Sequence, residues 1–176
     1  TNPNWRLIVD VYSDLPFSSF HPSKDAMVEP TLEQINTWIQ HGHEVKVIRM
    51  DNAGENKKLE ETSKAKQWQL PLKFEYTARA TPQQNSVVEK KFDTLASRAR
   101  ATMSGANIPP EIRKHVCKEC INCCTHIDGL IVREINGEVK TRYEHWNGEL
   151  PGFSRHLKKW REAGVVTLRD LKKSKI

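Results

Sequence analysis

Residues 81–103 read TPQQNSVVEKKFDTLASRARATM, and they carry the clearest structural pattern in the chain. Thr81 is a residue type that caps helices, and Pro82 suits the first helical position because the N–H that it lacks would be unpaired there anyway. Apolar side chains then recur at steps of three or four residues, the spacing of one buried helix face. These positions are Val88, Phe92, Leu95, Ala99 and Met103. The stretch therefore predicts a helix that packs on a core through one side.

Short apolar stretches with β-branched residues alternate with helical patterns before this helix, and a further helical pattern follows it. Strands are predicted at 5–12, 17–21, 45–50 and 72–76, and further helices at 23–40, 55–69 and 110–128. Interleaved strands and helices are typical of an α/β domain, which we place at residues 1–128. The periodic pattern weakens after Asp128, so we predict a loosely structured basic C-terminal extension over residues 129–176.

The composition fits one folded domain. The chain has 176 residues, 37% of them hydrophobic and 28% charged, with a mean hydropathy of −0.68. No apolar run approaches the roughly 20 residues of a membrane-spanning helix, and no basic-then-apolar leader opens the sequence. We therefore expect neither a membrane protein nor a secreted precursor. The first residue, Thr1, favours a piece of a longer polyprotein.

The basic charge is concentrated at the C-terminal end. The formal net charge is +6, and residues 155–176 hold eight Lys and Arg residues against two acids, so the preceding residues net to zero. A basic end on a neutral body favours a polyanion partner, most often nucleic acid. A merely solvated tail is the alternative that charge alone leaves open.

All four cysteines fall within Cys117–Cys124, in the pattern CxxCxxCC. Disulfide-stapled proteins spread their cysteines along the chain, so this cluster indicates a reducing compartment. A zinc site with His115 and His126 as extra ligands is one interpretation. One straight helix closes a tetrahedron poorly, however, whereas free cysteine packs well as a small apolar residue. We therefore expect core packing and no structural zinc.

Separated carboxylates are the chemistry-bearing residues that remain. The sequence has no Gly-rich phosphate loop with its lysine and no GxSxG motif, which disfavours nucleotide and serine hydrolases. Asp51 ends a predicted strand, and Glu89 lies in the second turn of the helix that begins after Thr81. Both can project onto one edge of a sheet, where α/β folds commonly place their sites. Two or three such acids, with water and a substrate phosphate, can hold Mg²⁺ for phosphoryl transfer.

Two sequence blocks around these acids are more specific than their spacing. Residues 48–56 read IRMDNAGEN, and residues 74–91 read FEYTARATPQQNSVVEKK. The blocks resemble the DNxGE and TPQQNGVxE motifs of copia-type LTR-retrotransposon integrases, which belong to the RNase H-like superfamily of retroviral integrases. The resemblance covers most of residues 5–128. It implies an RNase H-like mixed sheet flanked by helices, and Mg²⁺-dependent polynucleotidyl transfer that trims DNA 3′ ends and joins them to a target duplex.

The resemblance also implies a set of site residues and partners. Asp51 and Glu89 match two acids of the family's DDE triad, which binds Mg²⁺, with Mn²⁺ as an alternative ion. The implied partners are DNA, as element ends and target duplex, and further copies in a homo-oligomer, located in the nucleus after passage through the cytoplasm. The residues expected to contact DNA are Asn85, Lys90, Lys91, Lys158, Lys159, Lys172 and Lys173. For Asn85, Lys90 and Lys91, a plain solvated surface is the alternative.

Three departures from the family pattern matter. Ser86 stands where the family has glycine, and no counterpart of the family's preceding zinc-binding domain is found. The family's first catalytic aspartate lies one strand earlier, in an HxDxxGP context, and this sequence begins after it. Asp10 is the tempting substitute, but it matches the aspartate of the second strand, so we interpret it as structural. We therefore expect an incomplete triad and a sheet that lacks the family's first, central strand.

Three functions stay open at this stage. The first is an integrase core, active or a remnant. The second is a non-catalytic nucleic-acid-binding module from a decayed or domesticated retroelement. The third, an RNase H-type nuclease, is disfavoured because the TPQQN block is integrase-like.

We predict that the isolated chain is marginally stable, because strands 5–12 and 45–50 lose the neighbour that they would share in the family's sheet. Either these two strands pair directly or an open edge invites association. Thermal unfolding checks the prediction, and a reversible transition well above about 65 °C would contradict it.

Overall fold

The computed structural model describes residues 4–65, 72–77 and 86–158, and these form an α/β fold as the sequence predicts. The strands are β1 (Asn4–Val9), β2 (Pro16–His21), β3 (Val47–Met50), β4 (Lys73–Tyr76), β5 (Val132–Ile135) and β6 (Glu138–Thr141). The helices are α1 (Val28–Gln40), α2 (Gly54–Ala65), α3 (Ser86–Gly105), α4 (Pro110–Gly129) and α5 (Arg142–Asn147). Two short 3-10 helices cover Asp25–Met27 and Gly152–His156. None of the described helices is long and apolar enough to cross a membrane.

The described strands form three separate two-stranded sheets. β1 pairs antiparallel with β2, and β3 pairs parallel with β4. β5 and β6 form an antiparallel hairpin whose turn residues, Asn136 and Gly137, both have positive φ. Within the described ranges β1 and β3 do not pair with each other, so the direct pairing that was one of the two expected arrangements is not found there.

The first strand is shorter than predicted, because Asp10 turns the chain. Its Oδ2 accepts hydrogen bonds from the backbone N of Ser13 at 2.7 Å and from the Ser13 hydroxyl at 2.6 Å. This turn ends β1 at Val9 and leaves Val11 and Tyr12 exposed between β1 and β2. The bonds give Asp10 a role in the turn, in agreement with its structural interpretation.

Two hydrophobic clusters hold the described elements together. The first joins β1, α3 and α4, and its buried members are Leu7, Val9, Leu95, Ala99, Met103, Ile108, Cys120, Ile121 and Cys124. The second joins α1, α2 and β3, and its buried members are Val28, Leu32, Met50 and Leu59. The apolar stripe predicted for α3 is confirmed, because its apolar positions either belong to the first cluster or pack against it.

The cysteine helix packs into the first cluster. Cys120 and Cys124 are buried, Cys117 and Cys123 are half-buried, and all four thiols are free. Cys120 Sγ donates to the backbone O of Ala99 at 3.5 Å, which joins α4 to α3. Burial, with the neighbouring thiols, raises the pKa of Cys120 to about 12, so this thiol stays neutral. The predicted core packing is confirmed for Cys120 and Cys124.

A buried ion network centres on Asp128, the last acid of α4, which is 1% exposed. Lys91 Nζ lies 3.0 Å from Asp128 Oδ2, and the guanidinium groups of Arg98 and Arg142 also donate to this carboxylate. Asp14 shares two of the cations, at 2.9 Å from Lys91 and 2.7 Å from Arg142. The network thus links α3, α4, α5 and the turn between β1 and β2.

The segment after Asp128 differs from the predicted loose extension. Arg142 of α5 enters the buried network, and Trp146 of α5 packs on Phe17, Trp38 and His43, with ring centroids 4.1–5.5 Å apart. A capping box at Thr141 starts this short helix. Arg142 and Trp146 therefore pack on elements that precede Asp128, and the division of the chain at Asp128 stays a prediction. The basic segment 159–176 lies outside the described residues.

We predict that Asp128→Asn lowers the free energy of unfolding by about 3–5 kcal/mol, because the largely buried cations of Lys91 and Arg142 would then share the single carboxylate of Asp14. Asp93→Asn on the exposed side of α3 is the control, with an expected change within about 0.5 kcal/mol. Chemical denaturation of both variants measures the effect. Equal stability of the two variants would contradict a supporting role for the network.

Candidate functional site

Asp51 directly follows β3, at the carboxyl end of the parallel pair, and it is exposed. Its Oδ1 accepts hydrogen bonds from Asn56 Nδ2 at 2.6 Å and from the backbone N of Ala53 at 3.3 Å. Asn56 Nδ2 also donates to the backbone O of Asp51 at 3.2 Å. Asp51 Oδ2 accepts no hydrogen bond from any described residue. The carboxylate is therefore held in place through one oxygen, and no described residue occupies the other.

A second layer of contacts holds α2 beside this carboxylate. The Tyr76 hydroxyl donates to Glu60 Oε2 at 2.5 Å and lies 3.5 Å from the backbone O of Asn56. Burial and the hydrogen bond to Glu60 raise the pKa of Tyr76 to about 12, so the phenol stays a donor at neutral pH. Because Tyr76 ends β4, these bonds tie the first two turns of α2 to the sheet that carries Asp51.

Glu89 is exposed near the start of α3. This helix packs in the first hydrophobic cluster, whereas β3, which precedes Asp51, packs in the second. No hydrogen bond or ion pair joins Glu89 to Asp51. In the described ranges, no group of three or more His, Cys, Asp or Glu side chains lies close enough together to hold a metal ion. Carboxylate oxygens are nevertheless the donors that Mg²⁺ prefers, and Mg²⁺ commonly binds one or two of them together with water and substrate phosphates. The exposed, anchored Asp51 fits that mode of binding.

The predicted DNA-contacting residues fall into three groups. Lys90 and Lys158 are exposed, as phosphate contacts require. Lys91 is 7% exposed, and its ammonium group is held by Asp14 and Asp128. The prediction that Lys91 contacts DNA is wrong for this structure, because its ammonium group is buried and cannot reach a phosphate. The remaining predicted residues lie outside the described ranges: Asn85, Lys159, Lys172 and Lys173.

Polar residues near Asp51 were not among the predicted site residues. Asn56 anchors the carboxylate, and Lys24 forms an ion pair with Glu55 at 2.7 Å. Glu55 and Asn56 stand four and five residues after Asp51, within IRMDNAGEN, so their closeness could have been inferred from the helix that begins at Gly54. Lys24 could not, because it reaches the site only through the packing of the segment before α1 against α2.

Comparisons with known proteins show likeness at the level of the fold. No protein-family model and no curated protein matches the chain. A chain of the simian T-cell lymphotropic virus intasome, solved with a PP2A regulatory subunit, matches 95% of this chain at 14% identity and a TM-score of 0.57. The catalytic core domain of BIV integrase matches 88% at 16% identity and a TM-score of 0.55. The HTLV-2 integrase catalytic core, solved with magnesium, matches 81% at 13% identity and a TM-score of 0.51.

These likenesses define the class of fold. The chain spans 93% of the BIV core and 91% of the HTLV-2 core, but 58% of the intasome chain. The described chain therefore has the fold of a retroviral integrase catalytic core, the RNase H-like architecture that the sequence predicts.

Proposed function

We propose that this chain is an integrase-type core, or the remnant of one, that acts on DNA by Mg²⁺-dependent polynucleotidyl transfer. The observation that carries the proposal is the exposed, anchored carboxylate of Asp51 at the carboxyl end of β3 in an integrase-core fold. The magnesium in the HTLV-2 core and the DNA-joining role implied by the TPQQN resemblance support the same chemistry. Within this class we assign the chain to the copia-type integrases, because of the resemblance of its two motif blocks.

In this proposal, Asp51 and Glu89 supply carboxylate oxygens for Mg²⁺ (or Mn²⁺). When bound, the ion would lower the pKa of water and offset charge on the phosphodiester. Asn56 would keep the Asp51 carboxylate oriented toward the substrate, while Lys90 and Lys158 would contact phosphates without reading sequence. The expected partners are element ends, target duplex and further copies of the chain, and the expected location is the nucleus. The HTLV-2 core has been solved in a dimeric and a trimeric form.

A second candidate is a non-catalytic DNA-binding module of a decayed or domesticated element. One observation favours it: the described residues contain no group of three metal-binding side chains. A ligand set with two acids would hold its ions weakly and place the attacking oxygen poorly. Under this candidate the basic segment 155–176 would supply the binding, and there would be no nicking activity to lose.

We predict that Asp51→Asn and Glu89→Gln each abolish Mg²⁺-dependent nicking of duplex DNA and leave DNA binding within about twofold, because the charge that they remove faces the metal. The measurement is a gel assay of a labelled duplex with and without Mg²⁺, beside binding by fluorescence anisotropy. Asp93→Asn, one turn after Glu89 on α3 and equally exposed, is the control that should nick normally.

The outcome separates the two candidates. Nicking by the unchanged chain that disappears in both acid variants but persists in Asp93→Asn supports the integrase core. A chain that binds DNA but never nicks, and that loses binding when residues 155–176 are removed, supports the non-catalytic module.

We also predict that Asn56→Ala weakens Mg²⁺ binding by about threefold to tenfold, because the Asp51 carboxylate loses a hydrogen bond worth about 1 kcal/mol and becomes free to rotate. Isothermal titration with Mg²⁺ measures the change. Asn147→Ala is the matched control, because the Asn147 amide donates only to the Tyr143 backbone O in α5. Unchanged Mg²⁺ affinity in Asn56→Ala would show that Asn56 does not position the metal-binding acid.

A further inference from the structure

A pair of crossed ion pairs joins the segment before α1 to the first turns of α2. Lys24 Nζ lies 2.7 Å from Glu55 Oε1, and Lys58 Nζ lies 2.9 Å from Asp25 Oδ1. The charges alternate, so each element contributes one cation and one anion. Because α2 starts three residues after Asp51, the crossed pairs fix Lys24 beside the end of β3.

Hydrogen bonds fix the backbone of Lys24, in addition to the ion pair that holds its ammonium group. Its carbonyl O accepts a hydrogen bond from the backbone N of Met27 at 3.1 Å, and the neighbouring Ser23 hydroxyl accepts from the backbone N of Ala26 at 3.2 Å. The Lys24 side chain is nevertheless 65% exposed, against 26% for Glu55. The lysine is therefore anchored at both ends and still open to solvent, whereas its acidic partner is largely covered.

Lys24 places an exposed cation next to the acids of the candidate site. Asp51 and Glu55 are four residues apart at one edge of the sheet, and by themselves they would repel the phosphates of DNA. Lys24 neutralises Glu55, and the hydrogen bond and charge of Glu55, with a smaller contribution from Asp51, raise the pKa of Lys24. The ammonium group has three donors, of which Glu55 takes one. Among the described residues Glu55 is the one hydrogen-bond acceptor of this ammonium group, which leaves two donors for phosphate oxygens.

We propose that Lys24 is a DNA-binding residue of the Asp51 site, which contacts a backbone phosphate next to the one that reacts while Glu55 holds its side chain in place. This inference rests on the proposed function, because it assumes that DNA reaches Asp51. It assigns phosphate binding to a lysine and a positioning role to a glutamate, and both lie outside the predicted set of DNA-contacting residues.

Salt-dependent binding of a fluorescein-labelled duplex to the full chain tests the proposal, with variants Lys24→Ala and Lys24→Arg. Removing one phosphate contact should reduce the magnitude of the negative slope of log K against log salt by about 0.9. This change corresponds to about eightfold weaker binding at 0.1 M salt. Lys24→Arg should keep the slope of the unchanged chain. Lys46→Ala is the matched control, because Lys46 is also exposed and paired with an acid, Glu44, at 2.9 Å.

Each outcome has a distinct meaning. A reduced slope in Lys24→Ala alone supports the proposal, and the thermal unfolding of that variant should match that of the unchanged chain, since an exposed ion pair contributes little to stability. An unchanged slope in Lys24→Ala, with DNA binding intact in the unchanged chain, overturns the inference but leaves the proposed function standing. A slope reduced equally in Lys46→Ala also overturns it, because any surface cation would then suffice. Failure of the unchanged chain to bind DNA overturns the proposed function itself.

Discussion

The buried carboxylate of Asp128 is the interaction on which the packing of the described chain depends. A carboxylate that is 1% exposed costs several kcal/mol of desolvation unless cations and hydrogen-bond donors surround it. Lys91, Arg98 and Arg142 supply them from α3 and α5, and Asp14 balances part of their charge. These elements must therefore stay together for the charges to remain paired. One consequence reaches the candidate site, because Lys91 lies two residues after Glu89 and fixes that turn of α3.

The half of the fold that carries Asp51 is built differently. β3 and β4 form a parallel pair, and parallel strands are normally covered on both faces within larger sheets. Here a small cluster of four buried side chains from α1, α2 and β3 supports the pair. The position of Asp51 consequently depends on short-range polar bonds from Asn56 and Tyr76, and on the ion pairs of Lys24 and Lys58, more than on a continuous sheet. The bonds of Asn56, Lys24 and Lys58 are exposed, and exposed ion pairs are individually weak.

The parts of the structure that follow from periodicity were predictable from sequence. The apolar steps from Val88 to Met103 gave the buried face of α3, and the spacing of Cys120 and Cys124 gave the packing of α4. The end of β1 was not predictable, because Val11 and Tyr12 favour a strand while the side chain of Asp10 turns the chain first. The predicted role of Lys91 in DNA binding was wrong for a related reason. Its two partners, Asp14 and Asp128, are 77 and 37 residues away, and no local pattern marks them.

Four features follow from the sequence alone: the order of strands and helices, the apolar faces, the acid after β3 and the basic C-terminal end. Each of them depends on neighbouring residues or on helical or strand periodicity. Only the tertiary structure decided which charges are buried, which lysines remain open to a ligand, and how the segment after Asp128 packs. Those properties depend on side chains that are distant in the chain and meet only when the helices dock, where desolvation makes the choice of partner decisive.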